Sequence, residues 1–265
     1  MTACRVAQKT LPGFYERLIE TSVELVRHYA PKDGTPYWGG FSGGKDSVVI
    51  KKIAEMAGVP VEWHYSVTTI DPPELVKFIR EYHPDVIFDR PEKPFFALAR
   101  SRALYPTRRM RWCCEALKEQ KSPKGRRLIL GIRADESRRR SAKWKLFIRN
   151  WKTDEYILSP ILHWRNDDVW RFIDEHDLPY CKLYDEGFKR LGCVGCPISS
   201  NRKIEFARWP NFEKAWKSMF HYVWKSGRDA GRFSKFSTWE DLWDWWLNDK
   251  PLAKDDTCAG QIMLW

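Results

Sequence analysis

Long apolar runs are missing from this sequence of 265 residues. No stretch approaches the ~18 consecutive apolar residues that suggest a membrane-spanning helix, and the opening residues MTACRVAQKT lack the apolar core of a secretion signal. Internal repeats and low-complexity segments are also missing. The hydrophobic fraction of 43% is nevertheless near the globular norm, so the chain can bury a core. We therefore expect a cytoplasmic protein that has no membrane partner.

An even set of cysteines, the usual mark of a disulfide framework, is missing too. The chain has seven cysteines, and in a reducing compartment this count indicates metal ligands or reactive thiols. Four of them form Cys113-Cys114 and Cys193-x-x-Cys196. A C-x-x-C turn suits a tetrahedral metal or a cluster, whereas adjacent cysteines splay apart and suit two corners of a [4Fe–4S] cluster better than one zinc ion. The alternatives are structural Zn²⁺ and four buried thiols without metal, and Cys181 is interpreted as an ordinary buried thiol.

Acidic residues are scarce in one part of the chain. The net charge is +11, but the segment from Arg100 to Asn150 holds 12 arginines and five lysines against four acidic residues. The rest of the chain is therefore close to neutral. A solvated basic surface is the ordinary explanation of a high pI. A block this local instead favours a polyanionic partner, either nucleic acid or a small molecule with several phosphates.

Strand and helix patterns alternate from the first helix, predicted over 11–29, to the strand RRLILGIRA. The other predicted strands are YWGGF, VEWHYSVT and DVIFDR, and Asp71 is expected to cap the helix DPPELVKFIREY. This alternation predicts an α/β fold with a doubly wound, mostly parallel sheet of about five strands. We expect one domain over 1–200 and a helical C-terminal extension over 201–265.

The extension is rich in tryptophan. Eight of the 15 tryptophans lie between Glu205 and Trp265, at spacings typical of amphipathic helices. Acidic residues are interleaved with them in WEDLWDWW, which favours helix packing over a platform for stacking bases. We therefore interpret these tryptophans as packing residues.

The stretch GGFSGGKDSVVI at 39–50 lacks the spacing of the common phosphate loop, G-x-x-x-x-G-K followed by Ser or Thr. It still places a glycine-rich turn between a strand and a helix, so that backbone N–H groups and the positive helix end would face an anion. The two glycines of SGGKDS allow close approach of the backbone, the two serine hydroxyls can donate to phosphate, and Lys45 adds a charge. Asp46 fits beside an anion if it orients Mg²⁺ or caps the loop. We interpret the turn as a binding site for phosphates.

The motif SGGKDS resembles the PP-loop of the N-type ATP pyrophosphatases, which have the adenine nucleotide alpha-hydrolase-like fold. This resemblance implies that the loop binds the β- and γ-phosphates of ATP as a leaving pyrophosphate and that the α–β bond is cleaved. Further segments, PTRRMRWCCEALK, GIRADESRRR, SPILHW and LPYCKLYDEGFKRLGCVGCP, resemble the phosphoadenosine phosphosulfate (PAPS) reductase family. The resemblance runs from about Tyr37 to Pro197 in consistent order.

The resemblance also implies a set of site residues. Nucleotide binding is expected at Phe41, Ser42, Gly43, Gly44, Lys45, Asp46, Ser47, Gly131, Arg133 and Ser137. Lys45, Asp46 and Arg133 are expected to act in catalysis, and Cys113, Cys114, Cys193 and Cys196 to hold the [4Fe–4S] cluster of the family's iron–sulfur members. The run Arg138–Arg140 offers bidentate contacts to phosphate or sulfate, with a solvated charge run as the alternative.

Two features depart from the assimilatory reductases of that family. Cys258 stands in DDTCAGQIMLW rather than in an E-C-G-like motif, and SGGKDS is intact where those reductases usually carry a degenerate loop. Both departures favour an ATP-dependent enzyme that forms AMP and pyrophosphate and incorporates sulfur into nucleic acid. DNA phosphorothioation and tRNA thiolation are examples of such chemistry, with a sulfur donor such as a cysteine desulfurase as partner.

Two alternatives remain open. The first is a PAPS or adenylylsulfate reductase that uses Cys258 as nucleophile and thioredoxin as partner. The second is a non-enzymatic iron–sulfur module that binds DNA. For the main hypothesis we expect ATP, Mg²⁺ and the [4Fe–4S] cluster as cofactors, with Zn²⁺ as the alternative to the cluster, and a homodimer is compatible with it.

Overall fold

A computed structural model describes residues 13–119, 122–137, 141–142, 144–150, 154–233 and 235–250. The described residues divide into two compact units that interleave along the chain. The first unit takes 13–66, 73–89 and the described part of 122–191, and the second takes 67–72, 90–119 and the described part of 192–250. Among the residues that the structure describes, no helix is both long and apolar enough to cross a membrane.

The first unit contains a six-stranded sheet. Its strands are β1 (Tyr37–Gly40), β2 (Val61–Ser66), β3 (Ile87–Asp89), β4 (Arg127–Leu130), β5 (Phe147–Asn150) and β6 (Glu155–Leu158). The spatial order is β3-β2-β1-β4-β6-β5, and every neighbouring pair is parallel except the antiparallel pair of β5 and β6. The predicted α/β fold with a mostly parallel sheet is confirmed, and the sheet gains two strands that the sequence patterns did not predict.

Helices of both units follow from the apolar spacing of the sequence. They are α1 (Phe14–His28), α2 (Lys45–Ala57), α3 (Pro73–Tyr82), α4 (Phe95–Arg102), α5 (Trp112–Cys114), α6 (Asn166–Glu175), α7 (Arg202–Arg208), α8 (Pro210–Asp229) and α9 (Trp239–Leu247). Helix α2 buries Val49, Ile50 and Ile53 completely and ends at Gly58, whose φ of 65° is the left-handed conformation typical of a helix C-terminus. Helix α3 begins at Pro73, two residues after Asp71, whose carboxylate accepts the backbone N–H of Thr68 at 2.8 Å.

The strand order fixes the place of the glycine-rich turn. From β1 the chain proceeds to β2 and β3 on one side, whereas β4 lies on the other side of β1. The carboxyl ends of β1 and β4 therefore form the switch point of the sheet, where open α/β sheets bind their ligands. The turn between β1 and α2 lies at this switch point.

Tryptophans of the extension form the core of the second unit. Trp216 is fully buried in α8, and Trp243 and Trp246 of α9 are almost fully buried. The rings of Trp216 and Trp246 stack at 4.8 Å between centroids, and those of Trp243 and Trp246 at 5.4 Å. These three residues therefore pack helices, as the sequence analysis expected, while Trp265 lies outside the described residues.

Candidate functional site

The turn after β1 is a tight loop that only glycine can form at its centre. The backbone N–H of Phe41 donates to His64 O at 2.8 Å and prolongs the pairing of β1 with β2. Gly43 then takes a φ of 71°, and a Cβ atom there would lie 2.7 Å from Leu75 and 2.8 Å from Ile79. Both the dihedral angle and the close packing against α3 exclude a side chain at this position.

Two hydroxyl groups fix the inside of the loop. Ser42 Oγ accepts the Gly44 N–H at 3.3 Å, and the buried Ser47 Oγ donates to Gly44 O at 2.7 Å. In the free loop the Ser47 hydroxyl therefore donates within the loop, and its contact with phosphate stays a prediction. In this structure its role is to hold the backbone of the turn in shape at the start of α2.

The three residues predicted to be catalytic lie together. Arg133 is 97% buried, and its Nε donates to Asp46 Oδ1 at 2.5 Å. Lys45 Nζ lies 3.2 Å from the other oxygen of the same carboxylate. Gly131 lets the end of β4 come close to α2, because a Cβ there would lie 2.9 Å from the backbone of Asp46. One carboxylate thus holds two cations beside the loop, and the group of three keeps a net positive charge.

A tyrosine that the sequence analysis missed completes this group. Tyr184, in a short 3₁₀ turn at Lys182–Tyr184, accepts the backbone N–H of Lys45 at 2.9 Å. Its hydroxyl also lies 3.3 Å from the position of a Cβ on Gly44. Burial raises the pKa of the Tyr184 phenol, so the hydroxyl is protonated. Tyr184 was quoted within LPYCKLYDEGFKRLGCVGCP, but nothing in that spacing linked it to the loop.

The remaining predicted site residues lie outside the loop, and some of them lie outside the described residues. Ser137 is exposed and follows the 3₁₀ turn Ala134–Glu136. The run Arg138–Arg140 and the candidate nucleophile Cys258 lie outside the described residues.

In the described part of this loop, the side chains do not form a complete set of ligands for Mg²⁺. Asp46 is the carboxylate of the motif, and both of its oxygens are engaged by Arg133 and Lys45. Mg²⁺ usually binds through one or two carboxylates and the phosphates of a nucleotide. The residues present favour Asp46 as the holder of the two cations rather than as a Mg²⁺ ligand.

The C-x-x-C turn belongs to the second unit and is fixed by that unit's own helices. The N–H of Val194 donates to Ile70 O at 2.8 Å, and Val194 O accepts the indole N–H of Trp216 at 3.1 Å. The N–H of Gly195 donates to Glu205 Oε2 at 2.8 Å. With φ at 75° and a hypothetical Cβ only 2.6 Å from Phe206, position 195 requires glycine. The tryptophan-rich extension therefore positions two of the four cysteines.

The cysteine pair at 113–114 lies in the same unit and within electrostatic reach of the turn. Cys113 interacts with Cys114, Cys193 and Cys196, and all four side chains are partly exposed. A hydrogen bond between the two neighbouring thiols lowers the pKa of Cys114 and raises that of Cys113. Arg111 assists, because its Nη2 donates to Cys114 Sγ at 3.3 Å.

A second cation near the thiols was also missed. Lys118 follows Cys114 by four residues in a single π-helical turn, and the neighbouring Cys193 raises the pKa of Lys118, while burial raises the pKa of the Cys193 thiol. Cys193 Sγ in turn donates to Thr68 Oγ1 at 3.4 Å. Cations beside thiols favour the thiolate form that metals bind. Arg108, expected beside the cysteines, instead pairs with Asp249 at 2.9 Å.

The four cysteines have the donor chemistry of a cluster, and Cys113 lies within electrostatic reach of the other three. Within the described residues, no three His, Cys, Asp or Glu side chains are arranged to hold a single metal ion. A [4Fe–4S] cluster takes four thiolates, one from each corner, and the second unit brings four cysteines and two cations together. Cys181 belongs to the first unit, where it is buried and burial raises its pKa.

A parallel sheet with a glycine-rich turn at its switch point defines an α/β nucleotide-binding fold. Within that class, the family model of the phosphoadenosine phosphosulfate reductase domain matches residues 37–199. The chain belongs to this family.

Relatives of known sequence extend the match. An uncharacterized protein of Methanocaldococcus jannaschii is 27% identical over 248 residues, which cover 87% of this chain and 49% of the relative. A second one from the same organism is 29% identical over 245 residues, covering 86% of this chain and 58% of the relative. The adenosine 5'-phosphosulfate reductase of Staphylococcus haemolyticus is 32% identical over 88 residues, or 32% of this chain and 36% of the enzyme. The chain thus spans about half the length of the curated relatives that it matches over most of its own length.

Solved structures share the fold. The PAPS reductase of Candida auris superposes with a TM-score of 0.51 at 15% identity, covering 70% of this chain and 97% of that chain. The FMN adenylyltransferase of Candida glabrata, solved with FAD and inorganic pyrophosphate, gives a TM-score of 0.50 at 17% identity, covering 71% of this chain and 67% of that chain. At these identities the likeness concerns the fold alone.

Proposed function

We propose that this protein is an ATP pyrophosphatase that converts ATP to AMP and pyrophosphate and adenylates a substrate for sulfur incorporation. The observation that carries the proposal is the intact SGGKDS loop at the switch point, with Lys45, Asp46 and Arg133 gathered beside it. The sulfonucleotide that a reductase cleaves has no β,γ-pyrophosphate, so it does not need this loop. ATP does.

The loop's own groups suit a leaving pyrophosphate. The backbone N–H groups at the start of α2 and the positive end of that helix attract the β- and γ-phosphates. In the reaction an oxygen of the acceptor bonds to the α-phosphorus, the α–β bridging bond breaks, and its electron pair leaves with the pyrophosphate. AMP then leaves with that oxygen when sulfur from the donor bonds to the acceptor in its place. Lys45 and Arg133 would stabilise the charge that builds on the leaving group, because Asp46 holds both cations in place before the substrate arrives.

The acceptor in this proposal is nucleic acid. Support comes from the basic block between Arg100 and Asn150, which matches a phosphate backbone in charge. DNA phosphorothioation and tRNA thiolation are the two candidate modifications, with a cysteine desulfurase as sulfur donor. A [4Fe–4S] cluster on Cys113, Cys114, Cys193 and Cys196 would supply a site for passing on sulfur.

The test is the product of ATP turnover by wild type and by Lys45→Ala. The variant loses a charge-assisted contact of about 1.5–3 kcal/mol, so we expect a roughly 10- to 150-fold lower rate of AMP and pyrophosphate formation. Lys52→Ala is the matched control, because Lys52 lies on the same helix and, within the described residues, pairs with Glu55 alone. The control should keep the wild-type rate, and circular dichroism checks that both variants fold.

Two results would contradict the proposal. One is a folded Lys45→Ala variant that turns over ATP like wild type. The other is ADP instead of AMP as the nucleotide product.

A reductase is the second candidate, favoured by the match to adenosine 5'-phosphosulfate reductases. It requires thioredoxin-dependent release of sulfite from a sulfonucleotide, lost in Cys258→Ser. Under the main proposal Cys258→Ser keeps full ATP turnover, because adenylation uses only the loop and the acceptor. Sulfite release by wild type that disappears in Cys258→Ser would reverse the order of the two candidates.

A further inference from the structure

A second group of cations lies at the edge of the sheet opposite the SGGKDS loop. Strands β1 and β4 are parallel neighbours, so the turns that precede them lie side by side at their amino ends. The turn before β1 spans 31–35, and the turn before β4 spans 123–126. Gly34 and Gly125 take φ values of 77° and 79° in these turns. The same topology that places the loop at one edge therefore places these two turns at the other.

The two turns form an open cleft of about 560 Å³ with a basic lining. Its cations are Lys32, Lys124, Arg126 and Arg127, against the single carboxylate of Asp33. The two arginines are held in place by other groups: Arg126 Nη2 donates to Pro36 O at 2.8 Å and pairs with Glu62 at 2.5 Å, and Arg127 Nη1 donates to Tyr29 O at 2.7 Å. Lys32 and Lys124 are exposed, and neither pairs with an acidic residue in the described part of the chain. The cleft thus contains two arginines that are held in place and two lysines that have no acidic partner among the described residues.

A ladder of aromatic rings adjoins the cleft. Phe147 of β5 stacks on Tyr29 at 4.1 Å and on Tyr156 of β6 at 5.3 Å, with interplanar angles of 15° and 9°. The guanidinium of Arg149 lies 5.7 Å from the Tyr156 ring. Tyr156 is 37% exposed and itself lines the cleft, because it is the register partner of Arg127. A partly exposed aromatic ring therefore lies next to the cations.

We propose that this surface binds an unpaired strand of nucleic acid. Lysines that are free of acidic partners suit phosphates, and a base can stack on the partly exposed Tyr156 ring or on the Arg149 guanidinium beside it. Only an unpaired base can do so, since a duplex keeps its bases stacked inside. The inference rests on the proposed function, because it names where the nucleic-acid substrate is held, away from the nucleotide loop.

The experiment measures fluorescence anisotropy of the full chain with a labelled single-stranded oligonucleotide of about 15 nucleotides over a range of salt concentrations. Lys32→Glu/Lys124→Glu should raise Kd more than about tenfold and make the salt slope shallower by about 1.4, the value for two lost phosphate contacts on a single strand. Tyr156→Ala should raise Kd about tenfold and leave the salt slope unchanged, because stacking is not ionic. Tyr156→Phe should bind like wild type.

Matched controls separate this surface from net charge and from any exposed ring. Lys77→Glu/Arg80→Glu makes the same charge change in another groove of about 530 Å³, on α3. Tyr82→Ala removes a ring that is 50% exposed on the same unit. Both controls should bind the oligonucleotide like wild type, and circular dichroism should show that all variants fold.

The possible outcomes are distinct. If wild type forms AMP but does not bind the oligonucleotide, the nucleic-acid substrate and this surface are both wrong, whereas the pyrophosphatase stands. If wild type binds and the cleft variants bind equally well, or the control variants lose as much affinity, only the surface is wrong. Equal affinity for a duplex of the same length would overturn the role of Tyr156 in stacking.

Discussion

The Tyr184 hydroxyl accepts the backbone N–H of Lys45 at the start of α2, a donor that a phosphate would otherwise use. The two groups lie 2.9 Å apart although 139 positions separate them along the chain. The phenol oxygen accepts from the Lys45 N–H, as a phosphate oxygen would. We infer that Tyr184 stands in for the nucleotide and satisfies the loop until ATP binds.

Tyr184→Phe should therefore tighten ATP binding. Without the hydroxyl, the Lys45 N–H has lost its acceptor in the free protein, and a phosphate regains a hydrogen bond of about 1 kcal/mol without displacing anything. We expect Kd for ATP to fall about fivefold by calorimetry, together with a lower Tm of the free protein. Tyr180→Phe is the control, because Tyr180 donates to Asp185 at the surface and should change neither value. Weaker ATP binding by Tyr184→Phe would instead make the hydroxyl a donor to phosphate.

At the residue scale, the sequence predicted what local chemistry determines. The order Ser-Gly-Gly-Lys-Asp-Ser after a strand is enough to predict the turn, its helix and the basic side chain. Tyr184 and Lys118 were missed because their roles depend on tertiary contacts. Asp46 was predicted to be a site residue, but its pairing with the distant Arg133 became visible only in the fold.

At the scale of elements, the C-x-x-C turn depends on helices that follow it in the chain. Helix α7 supplies Glu205 to the Gly195 N–H, and α8 supplies Trp216 to Val194 O. The Gly195 N–H and the Val194 carbonyl thus already have hydrogen-bond partners in the protein without a metal. We infer that the extension determines the conformation in which Cys193 and Cys196 are presented.

Gly195→Ala should disrupt this turn, whereas Gly192→Ala should not. At Gly195 a methyl group would meet Phe206 and Trp216 at 2.6–2.7 Å, and alanine would have to adopt the left-handed conformation of this position. Together these two effects cost about 2–4 kcal/mol. At Gly192, three residues away, a Cβ meets nothing within 4 Å. We expect a lower Tm and lower iron content after anaerobic reconstitution for Gly195→Ala alone. Equal values for the two variants would mean that the turn is not fixed in this way.

The strands show where sequence patterns stop being informative. Strands β1 to β4 were predicted because apolar runs and turn residues flank them. Strands β5 and β6 were not predicted, because their sequences FIRN and EYIL mix charged or polar residues with apolar ones. Their pairing comes from the antiparallel register of Ile148 with Ile157 at the edge of the sheet, which no local pattern encodes.

At the scale of the molecule, the chain separates its two predicted chemistries into two units. The SGGKDS loop, Arg133 and Tyr184 belong to the first unit, and the four predicted cluster ligands belong to the second. The two cysteine pairs are about 80 positions apart in the sequence, and the second unit collects them from separate segments. The family gives the reason to expect a cluster, and the second unit gives the four thiols a common location.

Anaerobic purification should yield a brown protein with about four irons per chain. Cys113→Ser should lower the iron content and weaken the brown colour, because the cluster loses one of its four thiolates. Cys181→Ala is the matched control, since Cys181 is a buried thiol of the first unit and should leave iron unchanged. The measurements are iron and sulfide content and the visible absorption spectrum, with circular dichroism as the check on folding. A colourless wild-type protein with one zinc ion per chain, even after reconstitution with iron and sulfide, would show that the four cysteines hold structural zinc and no cluster. Iron content that is unchanged in folded Cys113→Ser would exclude that cysteine as a ligand.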